Sequence, residues 1–260
     1  MCRMTFDRSR ARRVPTGRIS RLHRLGALTT SISGRLAVDG ARTLLRGETP
    51  DMQRLLLSPA NVRRLADDLA RMRGAAMKLG QLLSMEAADV LPPEWARILS
   101  RLRAAADPMP PKQLKSVLRD AWGNDWRREF RSFDVRPIAA ASIGQVHRAR
   151  LRDGRELAIK VQYPGIAESI DSDVANLGAL FRLSGLLPRD FDLAPYLSAA
   201  RVQLREEADY EMEARAITAY AELLGNSDAF VLPDVLPEWS TRTLLSMTYL
   251  DSKPIETLEH

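Results

Sequence analysis

Two stretches in the middle of the chain alternate apolar and polar residues on either side of a short turn. In the second stretch, every other residue is aliphatic: Leu157, Ile159 and Val161 alternate with Ala158, Lys160 and Gln162. This period of two predicts a β-strand whose second face carries Lys160. The turn contains Asp153-Gly154, a pair that supplies the positive φ required by a tight hairpin. Pro164-Gly165 ends the strand that carries Lys160.

Helical spacing dominates the rest of the chain. Apolar residues recur at i, i+3 and i+4 from Val62 to Leu83, and a second helix with room for a break is predicted from Leu193 to Leu224. Proline clusters at 91–93 and 107–111 each end a helix. Two short strands are expected near 231–235 and 243–249.

Lys160 follows a loop of small side chains, Ala139 to Gln145. Small residues let backbone N–H groups approach an anion closely, and a strand lysine can reach phosphates held there. The alternative is a lysine that is simply solvated on an edge hairpin. Because alanine does not adopt positive φ cheaply, this loop is expected to be stiffer than a glycine-rich one.

Two further polar groups lie on the predicted helices. Lys78 and Gln81 are three residues apart and share a face, while Asp209 and Glu213 are four apart and share another, with Glu207 displaced around the helix. Ordinary surface polarity is the alternative for both groups, since several arginines lie beside the acids.

The order and spacing of these motifs resemble the AarF/UbiB family of atypical kinase-like proteins, which is associated with ubiquinone biosynthesis and related lipid metabolism. The matching segments are Lys78-Leu79-Gly80-Gln81 (the Lys-x-Gly-Gln motif), Ala139 to Gln145 (the alanine-rich loop), Lys160 (the nucleotide lysine), and Glu207-Ala208-Asp209 (the Glu-x-Asp motif) followed by Glu213. Leu91-Pro92-Pro93-Glu94 and Val14 to Arg18 also fit the family pattern.

The resemblance implies an α+β fold, namely a protein-kinase-like N-lobe with a small antiparallel sheet and an αC-type helix, preceded by a helical extension. It also implies a catalytic ion pair of Lys160 with Glu213. The implied nucleotide-binding residues are Ala139, Ala140, Ala141, Ser142, Ile143, Gly144, Gln145, Lys160, Met247 and Tyr249. The implied residues of a regulatory, pocket-covering motif are Lys78, Gly80, Gln81, Glu207 and Asp209, with Lys78 paired to Glu207.

The last predicted strand is similar to the one that enters a kinase hinge. Met247 takes the gatekeeper position, and the backbone of Thr248 to Leu250 is expected to face adenine. The family usually has a glutamate where Thr248 stands, a departure of little weight because a hinge binds adenine through its main chain.

The catalytic-loop Asp and Asn and the Asp-Phe-Gly motif of a kinase C-lobe are absent from the 260 residues. We therefore expect a basic leader at 1–50, a helical extension at 51–130 and an N-lobe at 131–260 that ends at the hinge, with the C-lobe absent. A domain of a longer protein, a truncated gene and one part of a split protein are all compatible with this. The expected cofactor is ATP or ADP, with Mg²⁺ only if a C-lobe is supplied and no metal ligand assigned here.

The charge of +6 is concentrated at the start of the chain, where residues 1–24 hold eight arginines and one acid. Such a segment suits an anionic membrane surface or lipid, an organelle transit peptide or a solvated tail. We expect a cytoplasmic, peripherally membrane-associated protein, or an organellar one if the leader is a transit peptide. No nucleic-acid motif accompanies the charge, so nucleic acid is not an expected partner. A dimer is left open.

The cysteine and histidine content limits other chemistry. Cys2 is the only cysteine, which excludes an intrachain disulfide and a cysteine-ligated zinc site. His23, His147 and His260 are scattered, and His147 is expected on a strand surface. No stretch approaches the roughly 18 apolar residues of a membrane-spanning helix.

Two functions of different classes follow. The first is the nucleotide-binding lobe of an ATPase or phosphotransferase that supports isoprenoid-quinone or lipid metabolism and is inactive alone. The second is a non-catalytic scaffold that senses nucleotide or binds lipid. The residues do not indicate a substrate.

Overall fold

The computed structural model describes residues 74–75, 78, 82, 108–184, 191–225, 227 and 229–252, without the side chains of 180, 183 and 184. Contacts divide these residues into two compact units. The first holds the described residues within 107–164 and 206–260, and the second holds those within 15–106 and 165–205. The sequence-based boundaries at 50 and 130 stay predictions.

Four helices and five strands lie within the described residues from 108 to 252. The helices are α1 (Pro111–Trp122), α2 (Ile170–Ser184), α3 (Ala194–Glu207) and α4 (Tyr210–Leu224). The strands are β1 (Phe130–Phe133), β2 (Ala139–Ala140), β3 (Gly144–Leu151), β4 (Glu156–Gln162) and β5 (Leu244–Thr248). Three short 3₁₀ helices cover Trp126–Arg128, Ala167–Ser169 and Pro237–Trp239.

The first unit is built on one antiparallel sheet. Its strand order is β1-β3-β4-β5, and β2 also pairs with β3. The predicted β3–β4 hairpin is confirmed: Arg150 pairs with Glu156, and Gly154 in the turn has a φ of 98°. Such a positive φ is cheap only for glycine, so the Asp-Gly pair fixes the register that places Lys160 opposite Val146.

The two faces of the sheet differ in burial, as the alternation in β4 predicts. Leu157, Ile159 and Val161 are fully buried on one face, here called the back face. On the other, the front face, Ala158 and Lys160 are half-buried. Each aliphatic side chain contributes roughly 1.5–3 kcal/mol through burial, so the back face anchors the strand while the front face stays accessible.

An aromatic cluster of Trp122, Trp126, Phe130, Phe133 and Trp239 connects α1 and β1 with the 3₁₀ helix before β5. Their ring centroids lie 4.9–5.9 Å apart. Trp122 also donates from Nε1 to the carbonyl oxygen of Trp239 at 3.2 Å. Segments more than 100 residues apart in the chain are thereby joined.

The long helix predicted from Leu193 to Leu224 is broken, as the sequence allowed. Asp209 is the N-cap of α4, and its side chain accepts from the backbone N–H of Met212 at 3.1 Å. The buried amide of Gln162 donates to the carbonyl oxygen of Ala208 at 2.9 Å, which ties the break to the end of β4. The strand expected near 231–235 is wrong, because only a single bridge from Val235 to Met247 forms there.

The second unit pairs α2 with α3. Val174, Leu177 and Phe181 follow helical spacing and are buried. Leu197 lies 2.6 Å from where a Cβ on Gly178 would stand, so the two helices approach closely at this glycine. Asp171 accepts from Arg205 at 2.8–2.9 Å.

Candidate nucleotide-binding site

Lys160 and Glu213 meet on the front face of the sheet. The Lys160 Nζ lies 2.7 Å from Oε1 and 2.6 Å from Oε2 of Glu213. The lysine side chain is 17% exposed and the glutamate 33% exposed. The pair that the resemblance implied is therefore present, and its role in binding a nucleotide stays a proposal.

The alanine-rich loop, Ala139 to Gln145, comprises β2, the turn at 141–143 and the first two residues of β3. The ends of the turn are joined by the Ala141 N–H, which donates to the Gly144 carbonyl oxygen at 2.9 Å. Ile143 is buried beneath the loop, and its carbonyl accepts from the Tyr163 N–H at 2.9 Å. These bonds fix the loop against the strand that carries Lys160, and the stiffness expected from its alanines stays a prediction.

Gly144 is required for close packing and not for its φ. A Cβ at this position would lie 2.5 Å from the Val161 carbonyl oxygen and 2.7 Å from the Tyr210 hydroxyl oxygen. Real Cβ atoms do not approach backbone oxygen so closely, so any larger residue would move the loop exit away from β4.

The Glu-x-Asp segment lies beside the loop. Glu207 accepts from the Ser142 hydroxyl at 2.5 Å, and Asp209 caps α4, whose first turn holds Glu213. Glu207 and Asp209 therefore stabilise different parts of the structure. One holds the loop, and the other fixes the start of the helix that meets Lys160.

The Lys-x-Gly-Gln segment is described only at Lys78, which is helical and half-buried. Gly80 and Gln81 lie outside the described residues. Lys78 belongs to the second unit, and its pairing with Glu207 stays a prediction.

A row of half-buried apolar side chains continues the front face beyond Lys160. Val146, Ala158 and Met247 lie on adjacent strands, since Ala158 pairs with Met247 and Lys160 pairs with Val146. The row offers a flat apolar surface next to a cation. Sequence reasoning named Met247 but missed Val146 and Ala158, although the period-two alternation that placed Lys160 on this face also places Ala158 there.

The segment expected to act as a hinge has its N–H groups partly in use. The Thr248 N–H donates to the Asp234 carbonyl oxygen, and the Tyr249 N–H donates to the Glu156 carbonyl oxygen, each at 2.9 Å. The Arg148 guanidinium lies 4.2 Å from the centroid of the Tyr249 ring. A contact from Tyr249 to a base would therefore use its carbonyl or side chain and not its N–H.

Gln145 and His147 form a hydrogen-bond chain on the back face. The Met109 N–H donates to Gln145 Oε1, and the Gln145 amide and His147 Nε2 are 2.7 Å apart, as are His147 Nδ1 and the Asp134 carbonyl oxygen. A carbonyl only accepts, so Nδ1 carries the proton and Nε2 accepts from the amide.

The location of His147 corrects the expectation of a surface residue. His147 and Gln145 are fully buried, and the Phe133 ring stacks on the His147 ring with their centroids 5.4 Å apart. Burial lowers the pKa of His147 to about 4, although the hydrogen bond to Asp134 acts in the opposite direction. Gln145 therefore anchors the loop end from behind, and its side chain does not face a nucleotide on the front of the sheet.

Metal ligands do not converge in the part of the chain that the structure describes. No group of three or more His, Cys, Asp and Glu side chains there is arranged to hold a metal ion. Among the same residues, no helix combines the length and the apolar character needed to cross a bilayer.

The small antiparallel sheet, the helix whose glutamate meets a strand lysine and the loop held above that strand define the class of this molecule. It is an α+β protein with the N-lobe-like architecture of a protein kinase. The chain belongs to the ABC1 atypical kinase-like family, since a profile of the ABC1 atypical kinase-like domain matches residues 101–260.

Curated relatives support the same assignment. The atypical kinase COQ8, mitochondrial, of Saccharomyces cerevisiae is 41% identical over 97% of this chain and 50% of its own length. Its counterpart in Caenorhabditis elegans is 40% identical over 97% of this chain and 34% of its own. The counterpart in Schizosaccharomyces pombe is 42% identical over 92% of this chain and 39% of its own length. The chain thus spans at most about half the length of these relatives.

A solved structure also resembles the chain. The complex of Rv3197 with erythromycin from Mycobacterium tuberculosis is 32% identical, covers 75% of this chain and 49% of its own, and gives a TM-score of 0.46.

Proposed function

We propose that this chain is the adenine-nucleotide-binding lobe of an atypical kinase-like ATPase or phosphotransferase that supports isoprenoid-quinone or other lipid metabolism. One observation carries the proposal: the Lys160 ammonium is held 2.6–2.7 Å from both carboxylate oxygens of Glu213, on a half-buried face next to the alanine-rich loop. An ammonium fixed by a glutamate is the device by which kinase-like proteins hold nucleotide phosphates.

The surroundings of Lys160 suit both ends of an adenine nucleotide. Val146, Ala158 and Met247 are half-buried and apolar, which suits an adenine plane. Lys160 supplies the positive charge for phosphates, and the small side chains of the loop allow its backbone to approach them. The bound nucleotide would supply the transferable phosphoryl group. This chain's own residues would bind and orient it.

Among the described residues, no group of three or more His, Cys, Asp and Glu side chains is arranged to hold a metal ion. We therefore assign no step to a metal held by these residues. Residues 1–260 alone are accordingly expected to release phosphate from ATP at the background rate. Steady hydrolysis that Lys160→Met abolishes would contradict this expectation.

We also propose that the protein acts in an organelle and attaches peripherally to membranes. The names of the three relatives above describe mitochondrial proteins. The arginine-rich first 24 residues support either import or attachment to an anionic surface.

Isothermal titration calorimetry with ADP tests the nucleotide site. Wild-type protein is expected to bind ADP, and Lys160→Met to bind at least about tenfold more weakly because a phosphate contact is lost. Lys115→Met is the matched control, since Lys115 is exposed on α1. Absence of ADP binding by the wild type, or equal affinity of the wild type and Lys160→Met, would overturn the proposal.

A further inference from the structure

Tyr210 is a fully buried residue that the sequence motifs left without a role. It is the first residue of α4, three positions before Glu213. Burial raises the pKa of its hydroxyl, and the nearby Glu213 carboxylate raises it further. Within the described residues the hydroxyl has no hydrogen-bond partner. A buried hydroxyl without a partner is unfavourable, so hydrogen bonding by the hydroxyl does not explain why a tyrosine lies here.

The face of the Tyr210 ring contacts the nucleotide lysine. The Lys160 Nζ lies 4.7 Å from the ring centroid, within the range of a cation–π interaction. The same ammonium is bonded to both oxygens of Glu213. Because Tyr210 and Glu213 are one helical turn apart on α4, the ammonium is held from two directions by one rigid element.

The edge of the Tyr210 side chain contacts the loop. Its hydroxyl oxygen lies 2.7 Å from where a Cβ on Gly144 would stand. The backbone N–H of Tyr210 donates to the Arg242 carbonyl oxygen at 3.2 Å, which fixes the start of α4 next to β5. One buried side chain therefore touches both the exit of the alanine-rich loop and the lysine.

We propose that Tyr210 is a positioning residue for nucleotide binding: its aromatic face orients the Lys160 ammonium, and its packing against Gly144 sets the distance between that ammonium and the loop. The inference rests on the proposed nucleotide site. It names a residue that belongs neither to the alanine-rich loop nor to the Glu-x-Asp motif. It predicts that nucleotide affinity depends on the electron density of the ring and not only on its size.

A fluorination series separates this role from plain packing. Phe, 4-fluoro-Phe, 3,5-difluoro-Phe and 3,4,5-trifluoro-Phe are introduced at position 210 by amber suppression, and ADP affinity is measured by calorimetry. Fluorine changes ring size little but weakens the attraction of the ring face for a cation. ADP binding is expected to weaken stepwise, on the order of fivefold from Phe to trifluoro-Phe. The same series at Tyr220, which is 63% exposed on α4, is the control and is expected to be flat.

Each outcome bears on the inference. A stepwise loss at position 210, with thermal unfolding temperatures showing that all variants are folded, supports it. Equal ADP affinity across the series while the wild type binds ADP overturns the role of Tyr210 and leaves the nucleotide site standing. No ADP binding by the wild type overturns the proposed function and this inference with it.

Discussion

The ion pair between Lys160 and Glu213 gives the most quantitative prediction. Two unit charges separated by 2.6 Å attract with roughly 6 kcal/mol at an effective dielectric constant of about 20. The cost of removing the two charged groups from water offsets most of this attraction. With 17% and 33% exposure, the pair lies between exposed pairs, worth about 0.2–1 kcal/mol, and buried pairs, whose disruption costs about 3–5 kcal/mol. We expect a coupling energy of about 2 kcal/mol.

A double-mutant cycle measures this coupling. The free energy of unfolding is determined in urea, by tryptophan fluorescence, for the wild type, Lys160→Met, Glu213→Gln and the double variant. The two single variants together should lose about 2 kcal/mol more unfolding free energy than the double variant loses. The reason is that each single variant leaves one charge without its partner. Glu211→Gln, an exposed residue of the same helix, is the control and should combine additively with Lys160→Met to within about 0.5 kcal/mol. Additivity in the Glu213 cycle as well would refute the reasoning.

Four further predictions concern other parts of the chain. Charge reversal of Lys78 and Glu207 together should be tolerated better than either reversal alone, and additive losses of stability would exclude their pairing. Folding lowers the pKa of His147 from 6.5 to about 4. Its contribution to the free energy of unfolding is therefore complete above about pH 6.5 and decreases by up to about 3 kcal/mol as the pH falls to about 4. A difference in unfolding free energy between wild type and His147→Gln that does not vary with pH would contradict this. Gly144→Ala should destabilise the protein by about 1–3 kcal/mol through its clash with Val161, measured by urea unfolding; an unchanged free energy of unfolding would show that the loop exit adjusts freely. A chain lacking residues 1–46 should lose sedimentation with anionic liposomes, and wild-type sedimentation should weaken with salt because exposed charges interact over only about 10 Å at 0.1 M; equal sedimentation of both chains would show that the leader does not bind membranes.

The parts of the fold that local chemistry decides were predictable. The β3–β4 hairpin follows from its alternation and from Gly154 in the turn, whose φ is 98°. The front-face position of Lys160 follows from the same alternation. A break in the helix predicted from Leu193 to Leu224 was allowed for, and Asp209 is the N-cap of the helix that follows the break.

The parts that depend on distant segments were not predictable from local pattern. His147 alternates correctly for a strand, but it is buried and contacts Phe133 and Asp134, which lie 14 and 13 positions earlier in the chain. The expected strand at 231–235 has suitable residues, yet only Val235 forms a bridge to β5. The position of Tyr210 beneath Gly144 requires the helix and the loop to be placed first, so no single motif indicated it.

The central claim is that Lys160 lies at the phosphates of a bound adenine nucleotide. An acyl-phosphate derivative of ADP transfers its acyl group to a lysine amine next to the phosphates. The chain has five lysines, at 78, 112, 115, 160 and 253, so peptide mass spectrometry can assign the modified one. We expect acylation of Lys160 that excess ADP suppresses, while Lys112 and Lys115 on the exposed face of α1 react weakly and regardless of ADP. Labelling that ADP does not suppress, or that falls on the α1 lysines and spares Lys160, would contradict the claim.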